Sequence, residues 1–348
     1  MHLPSWAEPG RISGGTAKRY ALFVSTVIAL AACDHSTPYA VTEPEPQGPA
    51  TSDLPRRLTF NMGTDRDPSA TADHIVYTQF PPGRSDRDGC IASLPSVGGT
   101  LTGLHCPGGP VADDRQDAWL FPTLSRDGRI AYLWEWALIG GIVPNGRTLR
   151  VATAEHPDSV LLEQSPYFSL PDGRRVTAIR DLMWDEAGRI RFVAGVDSYS
   201  VNLGVWDTTF IPFTLATLDP ADGEYRAVSG SEGAYTHLTA GDDGVWFVAA
   251  DAPQQLRLRA ADGTVTTVAT FTRSVLRLAE IDGAPTALGS AADSVHLQRI
   301  DPVTGAPAGV YAVAGRANAV AGIPGTNRFV LEIELARDRD LWLHEWPR

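Results

Sequence analysis

The chain has 348 residues, of which 43% are hydrophobic and 20% are charged, with 33 glycines and 26 prolines. This composition is typical of a globular protein with many turns and excludes a largely disordered chain. The formal net charge of −12, with Lys18 as the single lysine, argues against nucleic acid as a partner, because phosphate binding needs clustered cations.

An export signal lies near the N-terminus. Residues 18–33 read KRYALFVSTVIALAAC, in which two basic residues precede an apolar segment too short to span a bilayer. The ending Leu30-Ala31-Ala32-Cys33 resembles the lipobox of bacterial lipoproteins, which implies that Cys33 is lipidated and becomes the mature N-terminus. We therefore expect residues 1–33 to be a lipoprotein signal peptide. The alternative is an ordinary signal peptide with an incidental cysteine.

The segment that follows predicts a tether. Residues 34–53 contain four prolines and few apolar residues, a composition typical of extended linkers. At about 3.1 Å per residue, such a linker would hold a domain several nanometres from the membrane. The expected location is a bacterial membrane, to which the N-terminal lipid anchors the protein in the periplasm or at the cell surface.

Two further cysteines, Cys90 and Cys106, predict a structural disulfide. An exported chain meets an oxidising compartment, and Gly98-Gly99 lies midway between the two cysteines. A β-hairpin that turned at these glycines would place the cysteines opposite each other. A metal site is the weaker alternative, because two cysteines lack the four-ligand spacing of zinc sites.

A short apolar strand, an Asp/Gly turn and a second strand recur along the chain. The copies include FPTLSRDGRIAYLWEW (121–136), RDLMWDEAGRIRFVAG (180–195) and THLTAGDDGVWFVAA (236–250). A second type of turn recurs at residues 219–223 and 301–305, where Asp-Pro is followed by glycine. Proline and glycine suit chain reversals between strands, so each repeat contains four strands. Four-stranded units without helical periodicity predict an all-β fold, a β-propeller.

The repeats predict a six-bladed propeller over residues 54–348. The second strand of each blade is expected to begin near His74, Arg129, Arg189, Gly244, Pro285 and Arg328. The last repeat has only three strands, so we expect the N-terminal segment RRLTF (56–60) to supply the fourth and close the ring. A pair of β-sandwiches is the alternative fold.

One repeat carries a family resemblance. Residues 122–132, PTLSRDGRIAY, resemble the TolB-type, WD-repeat-like propeller repeat, whose hallmark is P-x-x-S-P-D-G before an apolar strand. Arg126 stands where that motif has proline, and the other repeats match only loosely. The resemblance implies a six-bladed propeller in the cell envelope that binds protein partners.

Signatures of catalysis are absent from the sequence. No G-x-S-x-G, H-E-x-x-H or nucleotide-binding glycine motif occurs, and the histidines are scattered as expected for surface or strand-lining residues. No cofactor is therefore predicted. Calcium is a weak candidate, because two acidic groups precede predicted first strands and would share one face: Asp65 and Asp67, and Asp113, Asp114 and Asp117. Solvated loops paired with arginine are the favoured interpretation of both groups.

Two insertions predict a binding surface. Residues 137–146 and 196–212 lengthen the connection between the second and third strands of neighbouring blades, on the face with the long loops. Their apolar side chains could cover each other as a small satellite core, or could form a patch for a partner. The candidate contact residues are Trp136, Tyr199, Trp206 and Phe210.

The leading functional hypothesis is a non-catalytic, lipid-anchored propeller that binds an envelope protein or polymer through its long-loop face. An alternative is a metal-dependent hydrolase of esters or lactones with its site over the central channel. A third possibility is a propeller that acts only as a scaffold.

Overall fold

The computed structural model describes residues 54–60, 63–80, 88–107, 115–138, 144–202, 205–228, 231, 235–241, 244–249, 251–291, 294–335 and 338–347. These residues belong to a unit that spans Glu45–Arg348, and they contain no helix, so none of them forms an apolar helix that could cross a membrane. The predicted signal peptide with Cys33 and the tether lie outside the described residues, as do Asp113 and Asp114.

The described chain forms 26 β-strands. The first nine are β1 (Arg56–Arg57), β2 (Thr64–Ala70), β3 (His74–Phe80), β4 (Cys90–Pro95), β5 (Gly103–His105), β6 (Arg115–Leu124), β7 (Arg129–Leu138), β8 (Gly146–Thr153) and β9 (Val160–Gln164). The next ten are β10 (Phe168–Ser169), β11 (Arg175–Val176), β12 (Ala178–Trp184), β13 (Ile190–Asn202), β14 (Val205–Leu218), β15 (Tyr225–Ala227), β16 (Tyr235–Gly241), β17 (Gly244–Ala249), β18 (Ala252–Ala260) and β19 (Val265–Thr270). The last seven are β20 (Val275–Ile281), β21 (Ala284–Ala291), β22 (Ser294–Ile300), β23 (Pro307–Ala314), β24 (Arg316–Gly322), β25 (Arg328–Leu335) and β26 (Asp338–Glu345).

Four separate sheets have the predicted four-stranded, antiparallel order: β6–β9, β12–β15, β16–β19 and β20–β23. The other two predicted blades differ from the expectation, because their strands lie in one eight-stranded sheet of order β24-β25-β26-β2-β3-β4-β5 with β1 also paired to β26. A single parallel pair, Thr64 with Arg339, joins the two halves of this sheet. The structure therefore separates four blades, not six.

The N-terminal segment pairs with the last strand, as predicted. Arg56 and Arg57 of β1 lie antiparallel to Leu343 and Trp342 of β26. The Arg57 guanidinium lies 2.7 Å from the fully buried Asp340 carboxylate. Leu58 is also buried, so the closing segment contributes to the core as well as to the sheet.

The Asp/Gly turns have the geometry that their sequence predicts. Asp185 Oδ1 accepts hydrogen bonds from the N–H groups of Ala187 and Arg189, both at 3.0 Å. Gly188 follows with a φ of 73°, a left-handed conformation that favours glycine. In the preceding repeat the Arg129 N–H donates to Ser125 Oγ at 2.8 Å, and the Ser125 hydroxyl donates to Asp127. These turns fix the register between the first and second strands of each sheet.

Cys90 and Cys106 form a disulfide, as predicted. Cys90 begins β4 and Cys106 follows β5, with Ile91 directly opposite His105 in the ladder. Gly98 and Gly99, in the turn between the two strands, both have positive φ angles, which is the chain reversal that the sequence indicated.

The first strands of the repeats surround a central channel. Strands β2, β6, β12, β16, β20 and β24 contact one another in cyclic order, with β24 next to β2. Buried apolar clusters fill the spaces between successive sheets, for example Leu149 with Phe192, and Leu288 with Phe329. A ring of outward-radiating sheets around a channel is a β-propeller.

His344 of β26 makes the stability of this ring dependent on pH. Its ring stacks on Phe329, with ring centroids 5.4 Å apart, and is buried. This burial lowers the pKa of His344 from 6.5 to about 4. Between these pH values the unfolded state binds the proton and the folded state does not. Stability is therefore complete above about pH 6.5 and falls as the pH decreases towards 4, by up to about 3 kcal/mol.

Urea unfolding at a series of pH values checks this prediction. His344→Leu should reduce the acid-induced loss of stability, whereas the exposed His74 replaced by glutamine should leave it unchanged. An identical pH profile for wild type and His344→Leu would contradict the assignment.

Candidate functional site

Each of the six channel-facing strands is interrupted by a β-bulge at a similar depth. The ladder to the second strand skips one or two residues in every case. The skipped positions are 67–68 in β2, 121–122 in β6, 181–182 in β12, 237 in β16, 276 in β20 and 318 in β24. We call these positions the bulge ring.

Four residues of the bulge ring have a left-handed backbone. The φ angles of Asp67, Phe121 and His237 are 53°, and that of Asp181 is 52°. Residues other than glycine rarely adopt this conformation, and such local strain is concentrated at functional sites. The backbone therefore marks the bulge ring as a candidate site.

Carboxylates satisfy two of the bulged N–H groups. A bulged residue loses its ladder partner, so its N–H needs another acceptor. The Asp67 N–H donates to Glu332 Oε2 at 3.1 Å, and the His237 N–H donates to Asp181 Oδ2 at 2.9 Å. The buried Glu332 also pairs with Arg339 at 3.0 Å. The bulges are thus fixed by specific side chains.

A cavity of about 950 Å³ extends from the bulge ring to the turns between the first and second strands. Its deep end is lined by Asp67, Asp181, His237 and Arg277, with Phe121 and Phe210 at its side. Acidic residues surround the end at the turns: Asp73, Asp127, Asp185, Glu186 and Asp282. The size is that of a small-molecule site, and polar groups converge on its deep end.

His237 occupies the centre of the polar cluster at the deep end. Its Nδ1 lies 3.3 Å from Arg277 Nη1 and 3.9 Å from Asp181 Oδ2. Because a guanidinium can only donate, Nδ1 is the acceptor and the ring proton sits on Nε2. Burial, opposed by Asp181 and reinforced by Arg277, lowers the pKa of His237 below its ordinary value, so the ring is neutral at neutral pH.

Two carboxyl groups at the deep end have altered proton affinity. Burial raises the pKa of Asp67 above its ordinary value, with Arg277 as the strongest opposing influence. Burial and the nearby Asp67 likewise raise the pKa of Glu332, and Arg339 opposes this effect. Ionisable groups with altered pKa values in a cavity are typical of binding and catalytic sites.

The 196–212 insertion is not a loop but an extension of β13 and β14, which we call the hairpin arm. The two strands stay paired from Val196 and Ile211 to Asn202 and Val205. In this register the predicted contact residues Tyr199 and Phe210 belong to the same face of the arm. The side chain of Trp206 lies outside the described residues, and the role of all three as contact residues stays a prediction.

The base of the hairpin arm is tied to the cavity wall by buried charges. Arg180 Nη2 lies 3.0 Å from Asp197 Oδ1, and Asp197 also pairs with Arg147, which is 2.7 Å from Glu135. The Arg180 guanidinium lies 5.5 Å from the ring centres of both Phe121 and Phe210. Phe210 is thus a partly buried part of the cavity wall rather than an exposed contact.

Trp136 and Tyr199, two further predicted contact residues, are also partly covered. A Cβ atom on Gly146 would lie 2.1 Å from Trp136 Nε1, so the Trp136 indole lies directly over that glycine. Tyr199 is half-buried. Among the insertion residues that the structure describes, Leu138 and Ile211 are exposed apolar side chains, at 43% and 44%.

The three calcium candidates that the structure describes, Asp65, Asp67 and Asp117, lie in strands rather than in solvated loops. Asp65 and Asp67 are part of β2, with Asp65 fully buried, and Asp117 in β6 accepts a hydrogen bond from Trp134 Nε1 at 2.9 Å. Among the described residues, no group of three or more His, Cys, Asp or Glu side chains is placed to hold a metal ion.

Sequence reasoning missed Asp181, Arg277 and the role of His237. A usable signal existed, because aligned repeats place a polar residue at the bulge in four strands: Asp67, Asp181, His237 and Asn318. A polar residue within an innermost strand points into the channel or into the core, and the core excludes it.

Comparison with known proteins shows the fold and not a family. No protein-family model and no curated protein matches the sequence. The gluconolactonase XC5397 from Xanthomonas campestris is similar in structure, with a TM-score of 0.53 and 13% identity, over 88% of this chain and 99% of that one. The β-propeller domain of Cps50 (Swd1) from Myceliophteria thermophila gives a TM-score of 0.48 at 10% identity, over 83% and 99% of the two chains. TolB from Acinetobacter baumannii gives 0.46 at 14% identity, over 79% and 64%.

Proposed function

We propose that the protein is a six-bladed β-propeller of the bacterial cell envelope that binds a small polar ligand in its central cavity. The observation that carries the proposal is the bulge ring, which places strained, polar and partly unpaired residues at the deep end of the cavity. Charged groups of both signs line this cavity, among them Asp185, Arg129 and Arg180, which suits a polar ligand.

The blade count of six treats the eight-stranded sheet as two blades. Tyr77 of β3 and Leu343 of β26 belong to the same sheet, yet they share one buried cluster with Ile323. Strands of a single flat sheet cannot pack face to face, so the sheet must bend sharply at the Thr64–Arg339 pair. The halves β2–β5 and β24–β26 with β1 then serve as separate blades.

The proposed location in the cell envelope rests on the N-terminal sequence. Lipidation of Cys33 and the proline-rich segment 34–53 would anchor the propeller to a membrane and hold it away from the surface.

A second candidate function is binding of an envelope protein or polymer through the long-loop face. The hairpin arm favours it, because a two-stranded ribbon extends from the blade there and exposes Ile211. Hydrolysis of an ester or lactone is the enzymatic alternative. The raised pKa of Asp67 suits a proton donor, and the similar structure XC5397 is described as a gluconolactonase. Asp67 and His237, which both line the cavity, are the residues on which this alternative would draw.

Blocking the cavity tests the leading proposal. Ala321, a half-buried residue on the cavity wall, is replaced by tryptophan, and the exposed Val303 is replaced by tryptophan as a matched control. Polar metabolites and sugar lactones are screened by equilibrium dialysis with mass spectrometry. We expect ligands that bind wild type and Val303→Trp but not Ala321→Trp.

Three outcomes are distinguishable in this screen. Equal retention by all three proteins would place binding outside the cavity, and no retention by any would contradict a small-molecule function. Conversion of a retained lactone to its acid, lost in Ala321→Trp, would support the enzymatic alternative.

A further inference from the structure

The charged residues at the two ends of the cavity differ in how they are paired. Near the turns, Arg129 lies 2.9 Å from Asp127, Arg126 lies 3.4 Å from Glu186, and Arg299 lies 3.0 Å from Asp282. At the deep end, in the part of the chain that the structure describes, Arg277 forms no ion pair with a carboxylate, and no cationic side chain pairs with Asp67 or Asp181. Opposite charges are therefore present there without neutralising each other.

His237 lies close to both charges through one ring nitrogen. Its Nδ1 accepts a hydrogen bond from Arg277 Nη1 at 3.3 Å and lies 3.9 Å from Asp181 Oδ2. The other hydrogen of Nη1 is donated to the Leu276 carbonyl at 3.0 Å. Both Nη1 hydrogens are therefore used, and neither is donated to a carboxylate.

Asp67 adds a second unneutralised carboxyl group to the same space. It occupies the bulge of β2, three strands around the ring from His237. Its backbone N–H is bound to Glu332, but no described donor reaches its carboxyl oxygens. Arg277 is the cation that acts on it most strongly, without forming an ion pair with it.

Holding opposite charges apart in a partly buried cavity costs free energy unless a ligand neutralises both. A simple anion at Arg277 would meet Asp67 and Asp181, and a simple cation at these carboxylates would meet Arg277. A molecule with both charges satisfies both sides at once.

We infer that the deep end of the cavity binds a small zwitterion, an α-amino acid or short peptide, with its carboxylate on Arg277 and its ammonium group on Asp67 and Asp181. The inference rests on the proposed ligand-binding function of the cavity and narrows it to one ligand class. The His237 Nε2–H is a further donor at this end of the cavity. Phe121 and Phe210, on either side of Arg180, give the wall an apolar surface for a side chain of the ligand.

The test uses matched ligands on the whole protein. The common L-amino acids and glycylglycine are assayed by thermal shift, each beside its N-acetyl form, which lacks the ammonium, and its amide, which lacks the carboxylate. Acetate and ammonium salts serve as single-charge probes. We expect at least one zwitterion to raise the melting temperature, and both blocked forms and both salts to leave it unchanged.

Variants of the two binding partners extend the test. Arg277→Gln should weaken zwitterion binding by roughly tenfold or more, and Arg277→Lys should restore part of it. Asp67→Asn should likewise weaken zwitterion binding, because it removes one of the two carboxylates proposed for the ammonium group. Circular dichroism shows whether each variant folds.

Two results would overturn the inference. One is equal binding of the blocked and zwitterionic forms, and the other is unchanged affinity in folded Arg277→Gln. If only uncharged ligands bind, and Ala321→Trp removes them, the zwitterion inference fails while the proposed ligand-binding function stands. If no ligand of any class binds, both fail.

Discussion

Deletion of residues 54–60 should remove most of the protein's stability. A variant that starts at Asn61 loses the burial of Leu58 and the partner of the buried Asp340 carboxylate. The Leu341 N–H also loses the Thr59 hydroxyl that accepts its hydrogen bond at 2.9 Å. Together these losses should lower the free energy of unfolding by about 5 kcal/mol or more, a large part of the total for a typical domain.

The measurement is urea unfolding followed by tryptophan fluorescence. A variant that starts at Leu54 is the matched control, because it lacks the same preceding residues but keeps the closing segment. We expect a cooperative transition in the control and a broad or strongly shifted one in the shorter variant. Equal urea midpoints for the two variants would show that residues 54–60 do not stabilise the ring.

Replacement of Arg147 with methionine should have the second largest effect. Arg147 is 8% exposed and neutralises Glu135 and Asp197, whose side chains are 15% and 2% exposed. Burial alone would lower the pKa of Arg147, but the two carboxylates outweigh it and raise the pKa. Loss of the cation leaves buried negative charge, which should cost about 4 kcal/mol.

An exposed ion pair provides the control for Arg147. Arg126 and Glu186 are 79% and 70% exposed, so Arg126→Met should cost less than about 1 kcal/mol. The double variant Arg147→Met, Glu135→Leu should regain part of the lost stability, because it also removes one of the two buried carboxylates that Arg147 neutralises. A loss as small in Arg147→Met as in Arg126→Met would show that water reaches the network.

The strand pattern could be predicted because the turns carry strong local signals. Strands β3, β7, β17 and β25 begin at His74, Arg129, Gly244 and Arg328, as the Asp/Gly turns indicated. Strand β2 was missed, because its sequence TDRDPSA has the charges and proline that usually exclude a strand. Tertiary contacts to β26 and β6 override that preference.

The candidate site could be predicted only in part. The insertions were located from the sequence, but the contacts of Phe210 with Arg180 and of Trp136 with Gly146 depend on packing in three dimensions. The bulge ring left only a weak signal in the aligned repeats, a polar residue in four of the six strands, because the skipped positions share a backbone role and not a residue type. Asp, Phe, His, Leu and Asn all occur there.

The left-handed backbone of the bulge ring also limits which chemistry the cavity can carry. Besides glycine, the residues that tolerate a φ near 53° best are asparagine, aspartate and histidine, and three of the four such positions hold Asp67, Asp181 and His237. These residues lie outside the ladder, so exchanging one for another changes the charge of the cavity without removing a ladder hydrogen bond. A propeller built this way can alter its ligand preference by single substitutions, within a repertoire of carboxylate, amide and imidazole groups that its own backbone selects.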